Sequence, residues 1–166
     1  MYASGLALAL SLVKADSPTE TTATTPLGSL YAYGSGISGL PIISSDGVAV
    51  LGWGQPAVAT IATNLTFTHA NSSLVAEPNN TAVASNWTTP LLCIETQPGA
   101  KSDVTFASSD ISPNDTRVYA GVGRSFWASP LNGSSEFYKL FWNSDNTATE
   151  GTVPVAIKKM PPPSLP

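Results

Sequence analysis

A chain of 166 residues fits one domain and is long enough to bury a real core. Charged residues make up 11% of it, against about 25% in ordinary soluble domains, and 21 Ser and 18 Thr supply the polarity instead. The net charge of −4, with seven Lys and Arg that do not cluster, excludes nucleic acid as a partner, and 42% apolar residues exclude a disordered chain.

Ala3 to Val13 (ASGLALALSLV) is an apolar run of eleven residues. It is too short to span a bilayer and has the length of a secretory signal-peptide core. Small residues around Val13-Lys14-Ala15 place cleavage after Ala15, so residues 1–15 are expected to be a signal peptide and the protein to be secreted, extracellular or in a cell wall. No other stretch is long and apolar enough for a transmembrane segment. Residues 16–26 (DSPTETTATTP) carry no apolar periodicity and read as a Ser/Thr/Pro-rich leader. A single β domain is expected over 27–159, followed by a Pro-rich tail over 160–166.

Within the domain the hydrophobic period is two. From Ala59 to Thr68, Ala59, Ile61, Leu65 and Phe67 fall on one face, and Asn64 falls on the other. Further strands are expected at 29–33, 40–43, 48–52, 91–95, 104–107, 117–121, 125–128, 137–142 and 153–158. Turn signals separate them, among them Ser45-Asp46-Gly47, Gln97-Pro98-Gly99, Ser112–Asp115, Asn132-Gly133 and Ser144–Asn146. Many short strands with frequent turns predict an all-β fold, an antiparallel β-sandwich (jelly-roll or immunoglobulin-like), with a barrel as the second choice.

Six of the nine Asn stand in N-x-S/T: Asn64, Asn71, Asn79, Asn86, Asn114 and Asn132. Chance would make roughly two of nine into acceptors, so the set predicts N-glycosylation and supports secretion. A glycan is bulky and hydrophilic, so each acceptor should face solvent. Cys93 is the single cysteine, inside the apolar run Leu91–Ile94, and is expected to be a buried, inert thiol.

Candidate chemistry is sparse. Gly34-Ser35-Gly36-Ile37-Ser38-Gly39 matches G-x-G-x-x-G, but Leu40-Pro41-Ile42-Ile43 follows as extended chain where a dinucleotide site needs a helix. A serine triad would have to use His69, and no Ser occupies a G-x-S-x-G elbow; His69 is expected in a solvated loop. One His and one Cys build no ordinary zinc or copper site, and Ser112–Asp115 and Asn143–Asn146 lack EF-hand spacing, so no metal or other cofactor is expected. Glu95, Asp103, Asp110 and Glu136 are the acids open to a glycosidase pair, and no pattern joins them, so no catalytic residue is assigned. An exposed indole can stack on the apolar face of a pyranose. Trp53, between Gly52 and Gly54, and Trp87, inside the sequon Asn86-Trp87-Thr88, are the candidate ligand-binding residues, whereas Trp127 and Trp142 are expected in the core.

Tyr31-Ala32-Tyr33-Gly34, Ile37 to Pro41, Asp46 to Ala49, Glu136 to Asn143 and Gly151 to Val155 together resemble small secreted glycoproteins of filamentous fungi, a group without assigned catalytic residues. The resemblance implies a fungal, extracellular setting. The expected function is therefore a non-catalytic secreted glycoprotein with polysaccharide or cell-wall glycan as partner. A small secreted polysaccharide hydrolase is the first alternative, and an effector or surface protein binding a host protein is the second.

Overall fold

The structure, a computed structural model, describes residues 24–70, 73–84, 86–88, 91–94, 101–107 and 125–163. The expected signal peptide, most of the leader, the strand at 117–121, the turns at 97–99 and 112–115, Asn71, Asn114, Glu95 and Asp110 lie outside these residues.

The described chain is all-β and antiparallel, as its period-two pattern predicts. In chain order its strands are β1 (Thr24–Gly28), β2 (Tyr31–Gly34), β3 (Ile37–Ser45), β4 (Val48–Leu51), β5 (Ala62–Ala70), β6 (Ser73–Pro78), β7 (Leu91–Ile94), β8 (Lys101–Ala107), β9 (Phe126–Pro130), β10 (Tyr138–Asn143) and β11 (Val153–Lys158). One helical turn, α1 (Thr81–Ala84), follows β6, with the Asn80 side chain accepting from the Ala82 N–H.

The hairpin of β3 and β4 is the centre of the network. Ser45 pairs with Val48, and the two residues between them, Asp46 (φ 50°) and Gly47 (φ 83°), both take positive φ. That is the tight turn whose twist matches its strands, and Asp-Gly is the dipeptide that tolerates it. On one side the pairing runs β3–β5–β6–β7–β8–β4, and on the other β3–β2–β11–β9–β10–β4, so two circuits of strands share the β3–β4 pair. β10 also pairs with β8, and β1 lies outside β5.

The main core gathers Leu30, Ile37, Ile42, Leu51, Leu65, Phe67, Val104, Phe126 and Leu140, among others. Ile43, Val50, Trp127 and Phe141 are also buried, yet they alternate with core residues on β3, β4, β9 and β10. Both faces of these four strands are therefore covered at those positions. This is why their sequences read as continuous apolar runs, while β5, with one solvent face, alternates.

Two expectations need correction. The strand expected from Ala59 starts at Ala62, and Ile61 is 57% exposed instead of inward, because residues 52–61 form a loop. His69 is half-buried within β5, opposite Thr25 on one side and Leu74 on the other, and not in a loop. Contacts also reach residues just outside 27–159. Thr24, Thr25 and Pro26 of the leader pair with β5, and the Tyr33 hydroxyl donates to the Met160 carbonyl at 2.7 Å.

Candidate functional site

The site grows from the loop between β4 and β5. Gly52 opens it. A Cβ at Gly52 would stand 2.3 Å from the Phe137 ring, so only glycine lets the chain pass at this distance. The Gly52 N–H donates to the Pro41 carbonyl at 3.1 Å, which pins the start of the loop to β3. Pro56 is buried, and the Gln55 side chain donates to the Ala59 carbonyl at 2.9 Å, which closes the middle. At the end, the N–H groups of Thr60 and Ile61 donate to the two oxygens of the Asp46 carboxylate at 3.0 and 2.9 Å. The residue that turns the β3–β4 hairpin thus also anchors the loop.

The loop raises Trp53 to 59% exposure. Its indole leans on Tyr31 of β2, with ring centroids 6.4 Å apart and planes tilted by 43°. Beside it opens a cleft of ≈ 520 Å³, lined by Trp53, Ser38, Leu40, Ser135, Glu136 and Tyr138, with Gly36 at its edge. Glu136 is positioned from its own backbone: its N–H and that of Phe137 both donate to the Ser134 hydroxyl, at 3.1 and 3.2 Å. The Tyr138 hydroxyl donates to the Ser135 carbonyl. The cleft is therefore lined by two aromatic rings, three hydroxyl groups and, among the described residues, one carboxylate.

Two other recesses border the loop. One is lined by Gly54, Gln55, Asn64, Asn79 and their neighbours. The other is lined by Pro56, Val58, Leu131, Asn132, Glu136 and Phe137, among others. Asn64 and Asn79 are adjacent across β5 and the end of β6, with the Asn79 N–H donating to the Asn64 carbonyl at 2.9 Å. Asn64, Asn79, Asn86 and Asn132 are all exposed.

Trp87 is held differently from Trp53. It is half-buried, its indole N–H donates to the Ala76 carbonyl at 2.9 Å, and its ring packs against Phe106 with centroids 5.9 Å apart. Its ring is committed to the core rim, although its neighbour Asn86 points outward. Trp127 is buried as the sequence suggests, whereas Trp142 is half-buried, packed against the core rim with its ring edge-on to Phe126.

The remaining candidates do not converge. Asp103 pairs with Lys139 at 2.6 Å on the opposite strand, not with Glu136. The glycines of G-x-G-x-x-G belong to the β2–β3 hairpin. In the Asn143–Asn146 turn the Asn143 side chain donates to the Thr147 carbonyl, and Asn146 takes a φ of 52°. Among the described residues no cluster of His, Cys, Asp and Glu could hold a metal ion, and no helix is long and apolar enough to cross a membrane.

Sequence reasoning missed Tyr31, Glu136 and Tyr138 as companions of Trp53. They come from β2, from the turn before β10 and from β10 itself, and only the strand order unites them. Comparison with protein-family models, with curated proteins and with solved structures returns no match.

Proposed function

We propose that the chain is a secreted, N-glycosylated, non-catalytic protein of fungal type that binds cell-wall or matrix polysaccharide. The observation that carries this reading is Trp53: an indole 59% exposed, propped by Tyr31 at the mouth of a cleft. Trp53 shares its loop with exposed Val58 and Ile61, and its indole face matches the apolar face of a sugar ring. The four exposed sequon asparagines support glycosylation, since each can carry a glycan without disturbing the core.

Glycoside hydrolysis needs two carboxylates flanking one bond, and Glu136 is the one acid lining this cleft among the described residues. This favours binding over cleavage. A protein partner is the second reading, favoured by Val58 at 62% and Ile61 at 57% exposure on the same loop.

The test is retention of the purified, glycosylated protein on insoluble chitin, β-glucan, mannan and cellulose, with released sugar measured in the same tubes. Retention on one polymer without release is the expected result, and Trp53→Ala should weaken it. Release of sugar would put a hydrolase in its place. Neither retention nor release would remove the polysaccharide and leave the protein partner.

A further inference from the structure

We propose that the Trp53 cleft admits a single, uncharged polysaccharide chain and does not dock flat on a crystalline polymer face. The inference rests on the carbohydrate reading above and narrows it to a ligand class.

Three features carry it. The first is ring geometry. A crystalline face offers coplanar sugars, and a binder must present coplanar rings to it. Tyr31 and Trp53 are tilted by 43°, so the two rings cannot lie on one plane together. Tyr31 is half-buried and outside the cleft lining, so Trp53 alone offers an exposed ring face beside the recess, which suits one chain and not a flat array.

The second is volume and chemistry. A recess of ≈ 520 Å³ lies within the range of about 300–1,000 Å³ that ligand pockets occupy. Its lining offers the hydroxyls of Ser38, Ser135 and Tyr138 and the carboxylate of Glu136, and among the described residues it includes no Lys, Arg or His. Vicinal sugar hydroxyls can donate to a carboxylate, which accepts at both oxygens. An anionic sugar would meet Glu136 with no cation among the described lining residues to offset it, in a chain whose net charge is already −4.

The third is where the sequons stand. Asn64 and Asn79 line one neighbouring recess and Asn132 lines another, while no described sequon residue lines the Trp53 cleft. Gly54 and Gln55 border the first neighbour, and Glu136 is shared with the second. Glycans on these residues would flank the cleft and leave its mouth open, so a ligand would reach it end-on or as a strand between them.

The experiment is calorimetric titration of the full glycosylated protein with soluble hexasaccharides of chitin, β-1,3-glucan, mannan and cellulose, and with oligogalacturonate as the anionic control. Retention on crystalline chitin and cellulose is measured in parallel. One uncharged hexasaccharide should bind, Trp53→Ala should weaken it roughly 5- to 30-fold, and Glu136→Ala should weaken it severalfold. Both variants change exposed side chains, and unchanged circular dichroism would confirm that they fold. Retention on a crystalline polymer without binding of its hexasaccharide would overturn the single-chain inference and leave the polysaccharide reading standing. Tighter binding of oligogalacturonate would overturn the uncharged ligand. No heat with any oligomer and no retention would overturn both readings.

Discussion

At Trp53 the energetics of binding and of folding separate cleanly. Covering one indole face removes on the order of 100 Å² of apolar surface from water, which at ~25 cal/mol per Å² is about 2.5 kcal/mol before ordering costs. A net loss of about 1–2 kcal/mol on Trp53→Ala corresponds to roughly a 5- to 30-fold weaker ligand. The same substitution should leave the thermal midpoint nearly unchanged, because the ring is 59% exposed and buries little. Thermal unfolding beside titration checks both halves. Gly52→Ala should behave in the opposite way. Its new methyl would press on the Phe137 ring, 2.3 Å from the nearest carbon, and cost about 1–3 kcal/mol of stability while displacing the indole beside it. Much of this was legible in the sequence. Gly-Trp-Gly marks an indole that the chain lifts clear of its neighbours. Trp87 carried an equally suggestive context, since its sequon faces outward. Yet consecutive residues need not share a direction, and Asn86 is exposed while the ring of Trp87 turns in to Phe106.

Among the elements, the β3–β4 hairpin does two jobs through one side chain. Asp46 supplies the positive φ of the turn and accepts two hydrogen bonds from the end of the Trp53 loop. Asp46→Ala should lose both, at about 2 kcal/mol, while Asp46→Asn keeps the turn and one acceptor and should lose less. Hydrogen exchange at the Thr60 and Ile61 amides reads this directly: faster exchange there, with β9 and β10 unchanged, is the expected pattern. Equal protection in Asp46→Ala would show that Pro56 and Gly52 hold the loop alone. The Asp-Gly turn was plain in the sequence because its chemistry is local. β1 and β6 were not. β1 is Thr-Thr-Pro-Leu-Gly, a polar edge strand whose proline lies in the pairing with β5, and composition alone reads it as leader. β6 alternates Leu74 and Ala76 inward over too few residues to stand out. The false start of β5 has the same root. Ile61 fits the alternation by spacing, but Asp46 captures its N–H and removes it from the strand.

For the molecule as a whole, stability and solubility draw on different parts of the surface and core. Phe67 is 1% exposed and sits in the main cluster, so Phe67→Ala should cost about 3–5 kcal/mol in denaturant unfolding, among the largest single effects in the chain. None of the four described sequon asparagines belongs to that cluster, and all are exposed. If they carry glycans, enzymatic removal should therefore leave the unfolding midpoint within a few degrees of its starting value. Solubility should respond differently. With 11% charged residues the bare surface has little electrostatic repulsion to keep copies apart. Val58 and Ile61 expose apolar area on the part of the loop beside the Asn64, Asn79 and Asn132 recesses, away from the open Trp53 cleft. Stripping sugar from those recesses would uncover these two side chains, so light scattering should rise with protein concentration after deglycosylation. A Val58→Ser, Ile61→Thr double variant should then restore solubility without changing the midpoint. A midpoint that falls by more than about 10 °C on deglycosylation, with no rise in scattering, would mean that the sugars brace the fold and do not shield the loop.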